Sequence, residues 1–152
     1  MPTLQQTERK EVTILLAEDD LGHARLIEKN LRRANIMNEI ITVCDGETAL
    51  NYLAAQAERN DGQSPLPLLV LLDLNLPVMD GYQVLQRMKA DEHTKHIPVI
   101  VLTTTDDPRE VARCYDLGCN VYVTKPVDYE HFSEAIRQLG LFLSVVTLPS
   151  LE

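Results

Sequence analysis

Short apolar runs of strand length alternate with stretches whose apolar residues recur at helical spacing, and this alternation constrains the chain more than any other feature. Val12 to Ala17 is the first run, and Leu21, Ala24, Ile27 and Leu31 then fall on one stripe between Asp20 and Ala34. Glu39 to Val43 reads as a second strand, and Asp45 as the N-cap of a helix carrying Ala49, Leu50 and Leu53. Residues 57–67 form a polar loop punctuated by Gly and Pro. Leu68 to Leu72 is unbroken apolar, as a strand covered on both faces must be. A helix from Gly81 to Ala90 carries Val84, Leu85 and Met88, and Ile97 to Leu102 is the fourth strand. Asp107-Pro108-Arg109-Glu110 opens a helix, with Asp as cap, Pro at the first position and Glu reaching back. That helix stops at Gly118, and Asn120 to Val123 follows as the fifth strand. Asp128 caps a last helix with Phe132, Ala135, Ile136, Leu139 and Leu143 on one stripe. Strands joined through helices pair in parallel with right-handed crossovers. The expectation is an α/β fold: a doubly wound, five-stranded parallel sheet in the order 2-1-3-4-5 with five helices.

Such sheets place their sites at the carboxyl ends of the strands. Here the apolar runs give way abruptly to chemistry. Strand one ends in Glu18-Asp19-Asp20, strand three in Asp73-Leu74-Asn75, strand four in Thr103-Thr104-Thr105, and strand five in Lys125-Pro126. Three carboxylates gathered in one crevice cannot all stay ionised without a cation. Oxygen-only donors with two or three carboxylates suit magnesium. Lys125 adds a positive charge and Thr103 a hydroxyl, which together can neutralise phosphoryl oxygens carried on Asp73.

The segments ILLAEDD, LLDLNLPVMDG, VIVLTTT and YVTKP resemble, in this order, the receiver domains of bacterial two-component response regulators. The resemblance covers roughly residues 12–144, with 30 residues from Asp73 to Thr103 and 52 from Asp73 to Lys125. It implies a flavodoxin-like receiver fold and a role for Asp73 as phosphoacceptor from a partner histidine kinase. It implies that Mg2+ is held by Asp19, Asp73 and the Asn75 carbonyl, with Glu18 reaching it directly or through water. Thr103 and Lys125 then contact the phosphoryl group. Thr103 and Tyr122 form the switch that passes the signal to the fourth helix, fifth strand and fifth helix. Glu18 stands where the family commonly has aspartate, and the loop at residues 57–67 is longer than in the shortest receivers. The run LLDLNLP, the strand end VLTTT and the tail VVTLP further resemble cyanobacterial phytochrome response regulators, which lack an attached output domain. That narrower resemblance implies a phytochrome kinase as partner. The chain would then be a signalling phosphoacceptor and no enzyme in the ordinary sense, catalysing only its own phosphorylation and dephosphorylation.

Two other functions share the fold. A flavodoxin-like electron carrier needs a hydroxyl- and glycine-rich phosphate loop after strand one, where Glu18-Asp19-Asp20 would repel a flavin phosphate. A phosphatase of the dehalogenase type carries a second aspartate two residues after its nucleophile, and that residue is Asn75 here. A degenerate receiver, binding partners without phosphorylation, is a third alternative, against which the full set of Asp19, Asp73, Thr103 and Lys125 argues.

The net charge of −9 disfavours direct binding to nucleic acid. No apolar run approaches the roughly 20 residues of a membrane span, and no secretory signal is visible, so a cytoplasmic location is expected. Cys44, Cys114 and Cys119 match no zinc spacing and read as free thiols. The histidines His23, His93, His96 and His131 are expected to lie away from the strand ends. Residues 1–11 read as a flexible segment, 12–144 as the domain and 145–152 as a tail. Phe142, Val145 and Val146 are left over once the last helix has packed its stripe on the sheet, and predict a homodimer interface.

Overall fold

In the computed structural model the elements run β1 (Thr13–Ala17), α1 (Leu21–Arg33), β2 (Ile40–Val43), α2 (Gly46–Arg59), β3 (Leu68–Asp73), α3 (Gly81–Ala90), β4 (Val99–Thr103), α4 (Pro108–Asp116) and β5 (Val121–Thr124). The structure describes residues 12–33, 35–59 and 66–125, together with Glu130 and Glu134. All five strands are parallel, in the order β2-β1-β3-β4-β5, as the alternation of periods predicts. The predicted last helix and its stripe lie outside the described residues, apart from Glu130 and Glu134, which are both helical and exposed.

The pleat explains why the strands are apolar throughout. Along β1 and β3, Leu15, Ala17, Val70 and Leu72 point to one face, where Ala49 and Leu53 of α2 and Val84, Leu85 and Met88 of α3 cover them. Ile14, Leu16, Leu69 and Leu71 point to the other face, against Ala24, Ile27 and Leu31 of α1. Every residue of β3 is therefore buried, Asp73 included. One stripe residue departs from expectation. Leu21 is 59% exposed, because it sits at the very start of α1, where the helix has not yet turned over the sheet.

Helix starts follow the local chemistry. Asp45 accepts a hydrogen bond from the Thr48 amide at 2.7 Å, and Asp80 and Gln83 form a reciprocal capping box at α3. At α4 the predicted cap is present in part. Asp107 accepts from the Arg109 amide at 2.9 Å and Pro108 opens the helix, but Glu110 does not reach back. The Asp107 amide donates to Thr105 Oγ1 instead, at 3.2 Å. That leaves the Glu110 carboxylate to accept from the Tyr82 hydroxyl of α3, while the Arg113 guanidinium stacks 3.9 Å over the Tyr82 ring. The contact ties α4 to α3 across the sheet face.

The thiols separate by burial. Cys44 is exposed, whereas Cys114 and Cys119 lie in the core. Burial pushes their thiols up to about 11 and about 12 respectively, which removes the reactive thiolate near neutral pH. A maleimide reagent at pH 7.5 is expected to add one label to the folded chain and three to the denatured chain, counted by mass. Rapid addition of two or three labels under native conditions would contradict this packing.

Candidate functional site

Register brings the four strand ends together. Ala17 pairs with Leu72, Asp73 with Leu102, and Thr103 with Thr124. Glu18 at the end of β1, Asp73 at the end of β3, Thr103 at the end of β4 and Lys125 after β5 therefore share one edge of the sheet. Carboxylate oxygens of Glu18, Asp19 and Asp73 all lie within 4.8 Å of one another, in the only such group of three acidic or soft ligands among the described residues. Glu18 and Asp73 are buried and Asp19 is exposed, so the cluster opens to solvent on the Asp19 side.

Lys125 closes the buried side. Its Nζ donates to Glu18 Oε1 at 2.6 Å and to Asp73 Oδ2 at 3.0 Å, while its amide donates to the Thr103 carbonyl at 2.6 Å. Burial alone would lower the lysine's pKa, but the hydrogen bonds to the two carboxylates outweigh it and raise the pKa above the ordinary value. Glu18 is raised in the opposite sense of charge. Desolvation and the neighbouring Asp73 push its carboxyl up against the pull of Lys125. Three carboxylates facing one ammonium leave a formal surplus of two negative charges, which is the electrostatic condition for a cation site.

The loop after Asp73 is shaped to hold it. The Asn75 amide donates to Asp73 Oδ1 at 3.0 Å, and the Asn75 side chain is exposed. The chain then doubles back so that the Gly81 amide bonds the Leu74 carbonyl at 3.0 Å. A Cβ on Gly81 would stand 2.5 Å from the Asp73 carbonyl oxygen, so no larger residue lets α3 approach this closely. The return demands a tight bend at Val78, where φ is +69° and the Met79 amide reaches the Pro77 carbonyl at 2.7 Å. A β-branched residue in that region is strained, and the strain sits beside the site.

Thr103 and Tyr122 are joined through the backbone of one residue, Thr105. The buried Thr103 hydroxyl accepts from the Thr105 amide at 3.4 Å, and the Tyr122 hydroxyl donates to the Thr105 carbonyl. The Tyr122 ring is half-buried against the core, and burial pushes its hydroxyl up to about 12. Thus Glu18, Asp19, Asp73 and Lys125 come together through their side chains, Thr103 meets Lys125 through its backbone carbonyl, and Asn75 and Tyr122 are bonded at the margin. Phe142, Val145 and Val146 lie outside the described residues.

The expectation for His23 is overturned. Its Nδ1 lies 3.2 Å from Lys125 Nζ and 3.8 Å from Glu18 Oε2, so it belongs to the cluster. The cause is the cap of α1: Asp20 accepts from the His23 amide at 3.0 Å, which turns the first helical turn back over the end of β1. The position three residues after a capping aspartate was the available signal, and sequence spacing to Lys125 carried none.

The response regulator receiver domain family matches residues 14–137. Among curated proteins, the chain is 39% identical over 138 residues to the response regulator Rcp1 of Synechocystis, covering 90% of this chain and 92% of that one. The Mn2+-bound crystal structure of Rcp1 superposes with a TM-score of 0.70 at 37% identity, covering 90% of this chain and 97% of that one. A response regulator receiver domain from Rhodospirillum rubrum is 60% identical, with a TM-score of 0.73 over 88% of this chain and 94% of that one. The bacteriophytochrome response regulator RtBRR gives 0.77 at 38% identity, over 92% and 84%.

Proposed function

The chain belongs to the response regulator receiver family, and from that premise we propose that it accepts a phosphoryl group on Asp73 from a partner histidine kinase. The single observation that carries this reading is the placement of buried Asp73 between Lys125 Nζ and the acidic pair Glu18 and Asp19. An oxygen of Asp73 attacks phosphorus on the kinase phosphohistidine. The P–N bond breaks, a P–O bond forms, and the imidazole departs with the electron pair. Such a transfer needs positioning and charge stabilisation more than covalent assistance. Asn75 and Lys125 hold the Asp73 carboxylate from its two oxygens and fix its aim. Lys125 then turns to the phosphoryl oxygens, and the Thr103 hydroxyl follows.

The donor set fits magnesium, being all oxygen, carboxylate-rich, and open on one side where waters can complete the shell. Glu18, Asp19, Asp73 and the Asn75 carbonyl would hold it, and the ion would supply positive charge against the phosphoryl oxygens. Bound only by the folded chain, magnesium at 10 to 100 times its Kd stabilises by about 1.4–2.7 kcal/mol. Melting is therefore expected to rise on adding magnesium, and Asp19→Asn to remove most of the gain. Radiolabel transfer from phosphorylated histidine kinases, a phytochrome kinase among them, tests the reading itself. Absence of transfer from every kinase and from acetyl phosphate, in magnesium, would sink it.

The signal leaves by the Thr103–Thr105–Tyr122 connection. Withdrawal of the Thr103 hydroxyl toward a phosphoryl oxygen breaks its bond to the Thr105 amide, and the Thr105 carbonyl in turn anchors Tyr122. This biases a two-state face formed by α4, β5 and the last helix. Thr103→Ala is expected to leave Asp73 able to accept phosphate while abolishing the phosphorylation-dependent change in hydrogen exchange on α4 and β5. Persistence of that change in the variant would refute the relay.

The similarity to RtBRR supports a place in phytochrome light sensing. Residues 12–144 act as the receiver, flanked by 1–11 and the tail 145–152. Phe142, Val145 and Val146 pair two copies, an assignment that rests on the apolar surplus of the tail. Among the described residues no helix is long and apolar enough to cross a membrane. The chain acts in the cytoplasm, where its kinase presents phosphohistidine, and its surplus of acid keeps it off nucleic acid.

A further inference from the structure

A lysine ammonium has three N–H donors and no acceptor. On Lys125 all three are taken, by Glu18 Oε1 at 2.6 Å, Asp73 Oδ2 at 3.0 Å and His23 Nδ1 at 3.2 Å. Because the ammonium only donates, Nδ1 of His23 accepts, and the proton of the neutral ring sits on Nε2, which lies 4.0 Å from Asp20 Oδ2.

The three acceptors are unequal. Glu18 is charged, fully buried, and held at its other oxygen by the Asp20 amide at 3.1 Å. Asp73 is buried and is the point of attachment, and its remaining carbonyl oxygen can still accept from Lys125 once the phosphoryl group is joined. His23 is neutral, half-exposed at 48% of its side chain, and the most distant of the three. Hydrogen bonds to charged acceptors are the stronger ones. A saturated ammonium can reach a new phosphoryl oxygen only by giving up a partner, and His23 is the one that costs least.

Resting on the reading of Asp73 as phosphoacceptor, we propose that His23 is the exchangeable third acceptor of Lys125, holding the lysine's last N–H in the unphosphorylated chain and yielding it to a phosphoryl oxygen. His23 is a positioning residue, since it acts on the transfer through Lys125 alone. Its release leaves Nδ1 without its lysine on the exposed first turn of α1. Phosphorylation thus changes the α1 surface by a route separate from Thr103 and Tyr122.

The test uses the full chain with magnesium and beryllofluoride, which adds to an aspartate carboxylate as a phosphoryl mimic. Ring-nitrogen and lysine-Nζ resonances are followed with 15N labelling. The expected result is that Lys125 Nζ shifts and that His23 Nδ1 moves to the position of a ring nitrogen no longer bonded to lysine. A Lys125 shift with His23 unmoved would overturn the exchange while leaving the phosphoacceptor reading intact. No response at either residue would overturn both.

Kinetics provide the second arm, with acetyl phosphate as donor at saturating magnesium. His23→Glu offers Lys125 a charged acceptor in place of a neutral one and is expected to slow phosphorylation about tenfold, the difference between the two bond classes. His23→Gln, which keeps a neutral acceptor, is expected to be slowed less than His23→Glu. Leu21→Glu adds the same charge about 200° around the helix and supplies the control. Equal slowing by Leu21→Glu and His23→Glu would assign the effect to net charge and overturn the proposal.

Discussion

Asp73→Asn is expected to abolish phosphorylation by histidine kinases and by acetyl phosphate while leaving the chain folded. The amide keeps the shape of the side chain, and its single oxygen can still accept from one of the two groups that hold Asp73 in place, the Asn75 amide or Lys125. What it loses is the anionic oxygen that attacks phosphorus, and without a nucleophile the covalent route has no first step. The substitution also removes a negative charge that pushes Glu18 upward. In the absence of magnesium the variant should therefore melt no lower than the unsubstituted chain, so loss of labelling cannot be credited to unfolding. The magnesium-induced rise in melting should shrink, because one of three carboxylates is gone. Full labelling of the variant at any other residue would remove Asp73 from its role.

Lys125→Met is expected to produce the largest loss of stability of any single change at the site. The side chains of Lys125, Glu18 and Asp73 are only 7%, 1% and 4% exposed, so the three charges interact with little screening by water. The methionine fills much of the same volume but leaves two neighbouring carboxylates without their cation. Removing one partner of a buried ion pair costs about 3–5 kcal/mol, a large share of the roughly 5–15 kcal/mol that a domain has. Denaturant midpoints at pH 7.5 without magnesium measure this directly. Magnesium should restore part of the loss, since its charge substitutes for the ammonium against the same oxygens. Phosphorylation should not recover with it, because no group then meets the phosphoryl oxygens from the β5 side. A variant as stable as the parent without magnesium would mean that the Lys125 bonds contribute nothing net.

These two residues also mark how far the sequence could be read. Their identity and their place at the ends of apolar runs were visible in the order of residues alone. So was the parallel sheet, because a run such as Leu68 to Leu72 with no polar face can only be a strand covered on both sides. The capping aspartates Asp45, Asp80 and Asp107 are local devices, closed within three residues, and two of them were legible for that reason.

What the sequence could not supply were contacts whose partners lie far apart in the chain and whose existence depends on the angle at which a helix docks. His23 meets Lys125 across 102 residues because the cap of α1 turns its first residues over the end of β1. The same start leaves Leu21 exposed, although its helical spacing places it on the core stripe. Glu110 satisfies a capping pattern in sequence, yet bonds Tyr82 of α3, 28 residues away, because Thr105 already occupies the amide it would have taken. Periodicity and local hydrogen bonding determined the elements, their order and the residues at the strand ends. Only tertiary structure decided which partner each polar group takes, because several acceptors of similar strength compete for every donor and the outcome turns on differences of a few tenths of an ångström.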